Sequence, residues 1–249
     1  MAAEFLSKSR ASLEALKSAN LLKSLNINAL IVGDEGVGKT TLAKYIVDAP
    51  VINGSDDMDA ILKTLRDNSS VIIKYFDRIT NLDLVENEIK KNKNRIIATS
   101  RKEIYESSFD RFFSLKIQLP PLRERKEDID LLSKKFLDEA KEIFLCDLDV
   151  DLDGMDIDLQ RNCHSLRKSI YKVFFENTID EYDMMRMLQK RLYVKLGSKD
   201  DYRKNLYLYE IPLIKAGRDR FGSQSKMAKE FGINRNTLRK KINEYGLKI

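Results

Sequence analysis

Apolar residues along this chain fall into two kinds of run. Residues 27–32, 49–54, 70–77 and 94–100 contain short blocks rich in Ile, Val and Ala, and they read as strands, the first of them a buried parallel one. Between and before these blocks, residues 1–24, 41–47 and 58–66 carry apolar positions at helical spacing, so strand and helix alternate as in an α/β core. Beyond residue 126 the blocks stop. Residues 128–144 and 166–196 have helical spacing on either side of an acidic stretch, and Gly197-Ser198-Lys199-Asp200 reads as a linker. Leu206, Tyr209, Leu213 and Ala216 then follow at spacings of three, four and three, the seam of a packed helix pair, and Pro212 predicts that a helix restarts there. Near the end, Ser223 caps a short helix with Met227 and Phe231 on one face and the small Ala228 where helices cross. Gly232 stops it, and Asn234 caps a second helix over 235–244 with Leu238 and Ile242 inward. Two short helices joined in this way make a helix-turn-helix.

The first strand runs into Gly33-Asp34-Glu35-Gly36-Val37-Gly38-Lys39-Thr40, which fits the phosphate-loop pattern G-x-x-x-x-G-K-[ST], and a helix follows it. In such a loop the backbone N–H groups close around phosphates, Lys39 reaches the terminal phosphates and Thr40 offers its hydroxyl to Mg²⁺. The helix that opens with Thr41 adds a field favourable to anions. The nucleotide-binding candidates are therefore Gly33, Glu35, Gly36, Val37, Gly38, Lys39, Thr40 and Thr41. Asp77 closes the apolar run 70–77 and is the second candidate Mg²⁺ ligand beside Thr40. The neighbouring residue is Arg78, and a guanidinium cannot accept a proton, so binding can survive where hydrolysis lacks its most obvious base. Arg78 as a plain surface charge, with another acid as base, is the alternative.

Charge sharpens this picture. Of the formal net charge of +6, residues 201–249 hold twelve Lys/Arg and five Asp/Glu, a net of +7, which leaves the first two hundred residues at −1. A basic C-terminal segment suits a nucleic-acid partner. Two cysteines and one histidine, Cys146, Cys163 and His164, argue against a disulfide framework or a zinc cluster and suit a reducing cytoplasm. No apolar run approaches a membrane span and the N-terminus lacks a signal-peptide core, so a cytoplasmic protein without membrane contact is expected. Residues 149–154 spell D-x-D-x-D-G, but the twelfth position is Gln160 in place of the bidentate Glu a calcium loop needs.

Leu119-Pro120-Pro121-Leu122-Arg123-Glu124-Arg125-Lys126-Glu127-Asp128-Ile129 strongly resembles the LPPLRERxEDI element of bacterial enhancer-binding proteins, the AAA+ transcription activators that work with sigma-54. The resemblance extends from about Phe5 to the C-terminus. It implies an AAA+ nucleotide-binding core over 1–126, a helical lid over 127–196 and an all-α Fis-type dimerisation and DNA-binding module over 197–249. It makes Lys39 and Thr40 the Walker A pair, Asp77 the Walker B aspartate, Asn53 the residue that senses a catalytic glutamate, Arg111 an arginine finger and Arg167 the lid's sensor arginine. Several family positions are changed: Arg78 replaces the glutamate, Arg101 stands for a sensor asparagine and Tyr105 for an arginine. Only 37 residues separate Lys39 from Asp77, with no GAFTGA loop to grip sigma-54.

Gly232 to Lys241 likewise resembles the recognition helix of Fis-type domains. By that likeness Asn234 and Arg235 meet base edges, while Ser223, Ser225, Thr237, Arg239, Lys240 and Lys241 meet phosphates, with Gln224 and Asn236 in the same surface. The expectation is a homodimeric, sequence-specific regulator of transcription on double-stranded DNA, independent of sigma-54, with ATP and Mg²⁺ as a conformational or oligomeric switch and at most weak ATPase activity. An active ATPase in contact with RNA polymerase, in a higher oligomer, and a nucleoid-architectural protein are the competing readings.

Overall fold

The computed structural model describes residues 4–101, 107–152 and 156–248. The chain divides into two units, Met1–Thr178 and Ile179–Ile249.

In the first unit, α1 (Arg10–Ser24) leads into β1 (Ala29–Val32), which is buried at every position. After the glycine loop come α2 (Lys39–Ile46), β2 (Val51–Asn53), α3 (Met58–Asp67), β3 (Ser70–Lys74), α4 (Leu82–Asn92), β4 (Arg95–Ser100), the single turn α5 (Ser107–Asp110) and β5 (Leu115–Gln118). The five strands form one parallel sheet in the order β2-β3-β4-β1-β5. Strand side chains alternate between two apolar layers. Ile31, Ile72, Ile97 and Ile117 face Ala15, Ala19 and Leu22 of α1 and Leu42 and Ile46 of α2. On the other side Leu30, Val71, Ile73 and Ile96 meet Ile61 and Leu65 of α3 and Val85 and Ile89 of α4.

The run expected as a strand over 70–77 ends early. Tyr75 adopts a left-handed conformation (φ 53°) that leaves the sheet, and Phe76–Arg78 form a 3-10 turn, so Asp77 sits on that turn instead of on the strand. Phe76 decides the bend. It is buried against Phe109, Phe112 and Phe113, each ring edge-on at 4.9–5.3 Å.

Two long helices complete this unit, α6 (Lys126–Phe144) and α7 (Cys163–Thr178), packed through Phe136, Leu166 and Ile170 with Leu122 beneath them. The stretch 166–196 is therefore two helices rather than one. Asp180 interrupts it by capping α8 (Glu181–Lys195), its carboxylate accepting from the Asp183 N–H at 2.8 Å, and α8 belongs to the second unit.

The second unit continues with α9 (Asp201–Asn205), α10 (Tyr207–Phe221), α11 (Gln224–Glu230) and α12 (Arg235–Glu244). Pro212 does not restart a helix, because α10 begins five residues earlier and passes through it. The ring is exposed, where the carbonyl that loses its helical donor can be hydrated. A three-helix core joins Ile214, Met227, Ala228, Leu238 and Ile242. Gly217 is needed in α10, since a Cβ there would fall 2.3 Å from the Phe231 ring.

One buried ion pair ties the first unit together. Arg125 and Asp128, with side chains 2% and 1% exposed, approach to 3.3 Å. The Asp128 carboxylate also accepts the Lys8 and Ser9 N–H groups at 2.7 Å each and the Ser9 and Ser12 hydroxyls at 3.0 and 2.9 Å. Arg125 donates to the carbonyls of Pro120 and Val37 at 3.1 and 2.9 Å. Removing Asp128 strands a buried guanidinium and four donors, so Asp128→Ala is expected to lower the unfolding free energy by about 3–5 kcal/mol. Urea denaturation followed by circular dichroism measures it. The double substitution Arg125→Met with Asp128→Leu is expected to stay destabilised, because the donors of residues 8–12 remain unpaired.

Candidate functional site

The glycine loop takes its shape from backbone conformations that side chains resist. Gly33, Gly36 and Gly38 have φ of 155°, 80° and 101°. At Gly36 a Cβ would also lie 2.4 Å from the Arg161 carbonyl oxygen, because the residues that open α7 approach the loop backbone to backbone. There Asn162 donates its amide to the Glu35 carbonyl (2.8 Å) and accepts from the Leu122 N–H (2.6 Å), and the Cys163 N–H donates to the Gly36 carbonyl (3.1 Å). The loop, α7 and the turn before α6 are thus hydrogen-bonded to one another.

Lys39 points back into the loop and donates to the carbonyls of Gly33 and Asp34 at 2.6 Å each. Burial, and then the positive charge of Arg101, hold its ammonium down at about 8. Beside it opens a cavity of about 340 Å³. Residues 35–41 form one wall, Tyr75 and Thr99 the sheet side, and Phe136, His164 and Arg167 the helical side. Arg167 stacks on Phe136, 4.5 Å from its ring centre, and pairs with Glu139 at 3.0 Å. Thr40 and Thr41 lie in the first turn of α2 and line the cavity too.

The sheet end of the site is crowded with charge. The Ser100 hydroxyl is 2.9 Å from Asp77 Oδ1, which it donates to. Arg78 is exposed and lies 4.7 Å from the centre of the Tyr75 ring, and Arg101 lies 5.3 Å from the same ring. Arg101 also reaches Glu35 at 2.8 Å, and Arg161 meets that carboxylate at 3.3 Å. Asn53 is held in a turn by Asp56, which accepts from its backbone N–H at 2.8 Å. Arg111 lies away from the cavity, paired with Asp83 and Glu86 at 2.7 and 3.0 Å. Tyr105 lies outside the described residues, as do Asp153 and Gly154. Asp147 and Asp149 of the acidic stretch are both engaged by Lys141.

In the second unit, Ser223 caps α11, its hydroxyl accepting from the Lys226 N–H at 3.4 Å, and Asn234 caps α12, its Oδ1 accepting from the Asn236 N–H at 2.8 Å. Ser223, Ser225, Asn234, Arg235, Asn236, Thr237, Arg239 and Lys240 are exposed, and Gln224 is half-buried. Lys241 is different. Its ammonium pairs with Glu210 of α10, which also accepts from the Tyr245 hydroxyl at 2.6 Å. The helical period turns Lys241 toward α10 while leaving Arg239 and Lys240 exposed.

Sequence reasoning did not single out Asn162, Arg161 or Tyr75, nor assign Arg125 and Asp128 a task. The last two stand inside the LPPLRERKEDI segment, and buried acid–base pairing across three residues is the signal that could have found them.

Lys39 yields a test. Since its folded value is lowered from 10.5 to about 8, the ammonium is expected to lose its proton as pH rises through about 8, which NMR of the labelled lysine side chain would record. Between about 8 and 10.5 the folded chain binds fewer protons here than the unfolded chain, so this group adds stability as pH rises across that window.

Residues 210–245, from Glu210 of α10 to Tyr245, match the family described as "Bacterial regulatory protein, Fis family". No curated protein sequence matches the chain. Among solved structures, NtrX from Brucella abortus in complex with ATP is similar at 17% identity and a TM-score of 0.58, covering 98% of this chain and 69% of that one. NtrX from the same organism in complex with ADP is similar at 16% identity and a TM-score of 0.59, covering 98% and 70%. These likenesses are likenesses of fold. The chain holds a five-stranded parallel α/β core with the packed helices α6 and α7, similar in fold to those NtrX structures, and a C-terminal helix-turn-helix within the Fis-family match.

Proposed function

We propose that this protein is a sequence-specific DNA-binding regulator of transcription, cytoplasmic and independent of sigma-54, whose core binds ATP as a conformational or oligomeric switch with slow hydrolysis or none. The observation that carries the reading is the capped helix-turn-helix, with Arg235, Asn236, Thr237, Arg239 and Lys240 exposed on α12 within the Fis-family match. Side chains at a recognition helix N-terminus read base edges, and cations further along neutralise phosphates. Arg235 and the amide NH₂ of Asn234 take the first role, Arg239 and Lys240 the second. Lys241, held by Glu210, contributes less.

Nucleotide binding is supported by the residues present. The loop carbonyls that Lys39 engages show an ammonium aimed into the loop, and the cavity beside it has room for a nucleotide. Thr40 and Asp77 would hold Mg²⁺, which screens phosphate charge when bound. Arg167 and the loop N–H groups would bind the polyphosphate. The residue following Asp77 is a cation stacked on Tyr75, and it offers no lone pair to activate water.

A homodimer is supported by two surfaces of the second unit. Tyr209 and Ala216 are exposed on α10, on the stripe with half-buried Leu206 and Leu213. None of the residues of α8 is buried, although it carries Met184, Met185, Met187 and Leu188. Its first turn is acidic, with Glu181 and Asp183, and its later turns are basic, with Lys190, Arg191 and Lys195, so two copies running antiparallel would match charges.

Binding to DNA fragments selected from a genomic pool tests the reading. Arg235→Ala is expected to relax discrimination at one base pair by about 1–3 kcal/mol. Arg239→Ala with Lys240→Ala is expected to weaken all sequences alike and to reduce the salt slope by roughly two. A wild-type chain without sequence preference in the pull-down would sink the proposal, and broad weak occupancy would favour an architectural role. Steady phosphate release abolished by Lys39→Ala would instead mark a working ATPase.

A further inference from the structure

A carboxylate in an anion-binding loop needs a reason, because it repels the phosphates that the loop amides attract. Glu35 is such a carboxylate, and two arginines from opposite sides neutralise it, Arg101 at 2.8 Å and Arg161 at 3.3 Å. Arg101 arrives from the sheet. β4 runs beside β1 with Val32 level with Ser100, and the Gly33 N–H donates to the Ser100 carbonyl at 3.3 Å, so Arg101 emerges level with the first glycine of the loop. Lys39 lies on the Gly33 and Asp34 carbonyls, which brings the two cations together over residues 33–35. Arg101 Nε is buried without a hydrogen-bond partner among the described residues, and the guanidinium lies beside Tyr75, a wall of the cavity. The side chains of the Arg101–Glu35 pair are 37% and 36% exposed, and an ion pair that solvent reaches is readily exchanged.

We propose that Glu35 is a resident anion of the loop, displaced from Arg101 by the terminal phosphate of a nucleoside triphosphate, and that Arg101 is the residue by which this site tells a triphosphate from a diphosphate. The proposal rests on the reading that the loop binds a nucleotide. Glu35 competes with that phosphate for Arg101 and keeps Arg161 after the exchange, so the segment that opens α7 stays tied to the loop while Arg101 changes partner. A guanidinium matches a phosphate with paired N–H groups better than it matches a lone carboxylate oxygen.

Calorimetric titration of the full chain with ADP and with a triphosphate carrying a methylene bridge between its β and γ phosphates tests this. Arg101→Ala is expected to weaken the triphosphate about tenfold, as the loss of a charged hydrogen bond does, and to leave ADP within about twofold. Glu35→Gln, which removes the competitor, is expected to tighten the triphosphate by roughly threefold or more and to widen its advantage over ADP. Arg101→Gln keeps a polar side chain without the charge and should follow Arg101→Ala, with thermal melting used to establish that each variant folds. Equal weakening of both nucleotides by Arg101→Ala, or an unchanged ratio in Glu35→Gln, overturns the proposal. Binding lost in Lys39→Ala but unaltered in Arg101→Ala overturns the role of Arg101 alone, whereas a wild-type chain that binds neither nucleotide overturns the nucleotide reading with it.

Discussion

The buried pair of Arg125 and Asp128 is the constraint on which the first unit depends. Burying two charges costs more than their attraction returns unless every remaining donor and acceptor is satisfied. Here the Asp128 carboxylate is saturated by backbone and hydroxyl donors from residues 8–12, and Arg125 spends its other N–H groups on the carbonyls of Pro120 and Val37. One pair therefore fixes the entry to α1, the start of α6 and the middle of the glycine loop relative to one another. A network this connected resists partial opening, and the loop it supports is held before any ligand arrives.

The loop in turn is held from the other side by α7. Asn162 spans it, donating to Glu35 and accepting from Leu122, while Cys163 bonds to Gly36. The glycines are thus required twice, for their positive φ and for the close approach of the Arg161 carbonyl to Gly36, which no side chain at that position would allow. Among the described residues, cations outnumber carboxylates around the loop. Lys39 and Arg101 stand over residues 33–35, with Arg78 at the sheet end and Arg167 on the helical side, against Glu35 and Asp77. Arg78, beside Asp77, is a cation that cannot accept a proton.

Much of this was legible in the sequence because it rests on local rules. The glycine spacing located the loop, dense apolar blocks located β1, β2, β3 and β4, and Ser223, Gly232 and Asn234 set the limits of α11 and α12 as caps and stops should. What escaped was decided by distant partners. The end of β3 depends on Phe76 finding three aromatic rings from residues 109–113, and no period within 70–77 announces that. Pro212 looked like a boundary because proline lacks a donor, yet an exposed position lets a helix tolerate that loss. Lys241 looked like its neighbours Arg239 and Lys240 until Glu210, thirty-one residues earlier, claimed it.

The same distinction separates the two ends of the chain as sites. In the helix-turn-helix the exposed groups depend on capping and a helical period, so a short segment suffices both to recognise the motif and to present its cations. The cavity beside the glycine loop is assembled from the loop, the ends of β3 and β4, the first turn of α2, the middle of α6 and the opening of α7, elements spread over more than a hundred residues. Its chemistry is therefore set by which side chains the fold brings to residues 33–35. A cation such as Arg78 next to Asp77 offers that assembly no proton acceptor, while the loop pattern is unchanged by it. Loop and function can part company in this way whenever the residues that bind and the residues that react come from different strands.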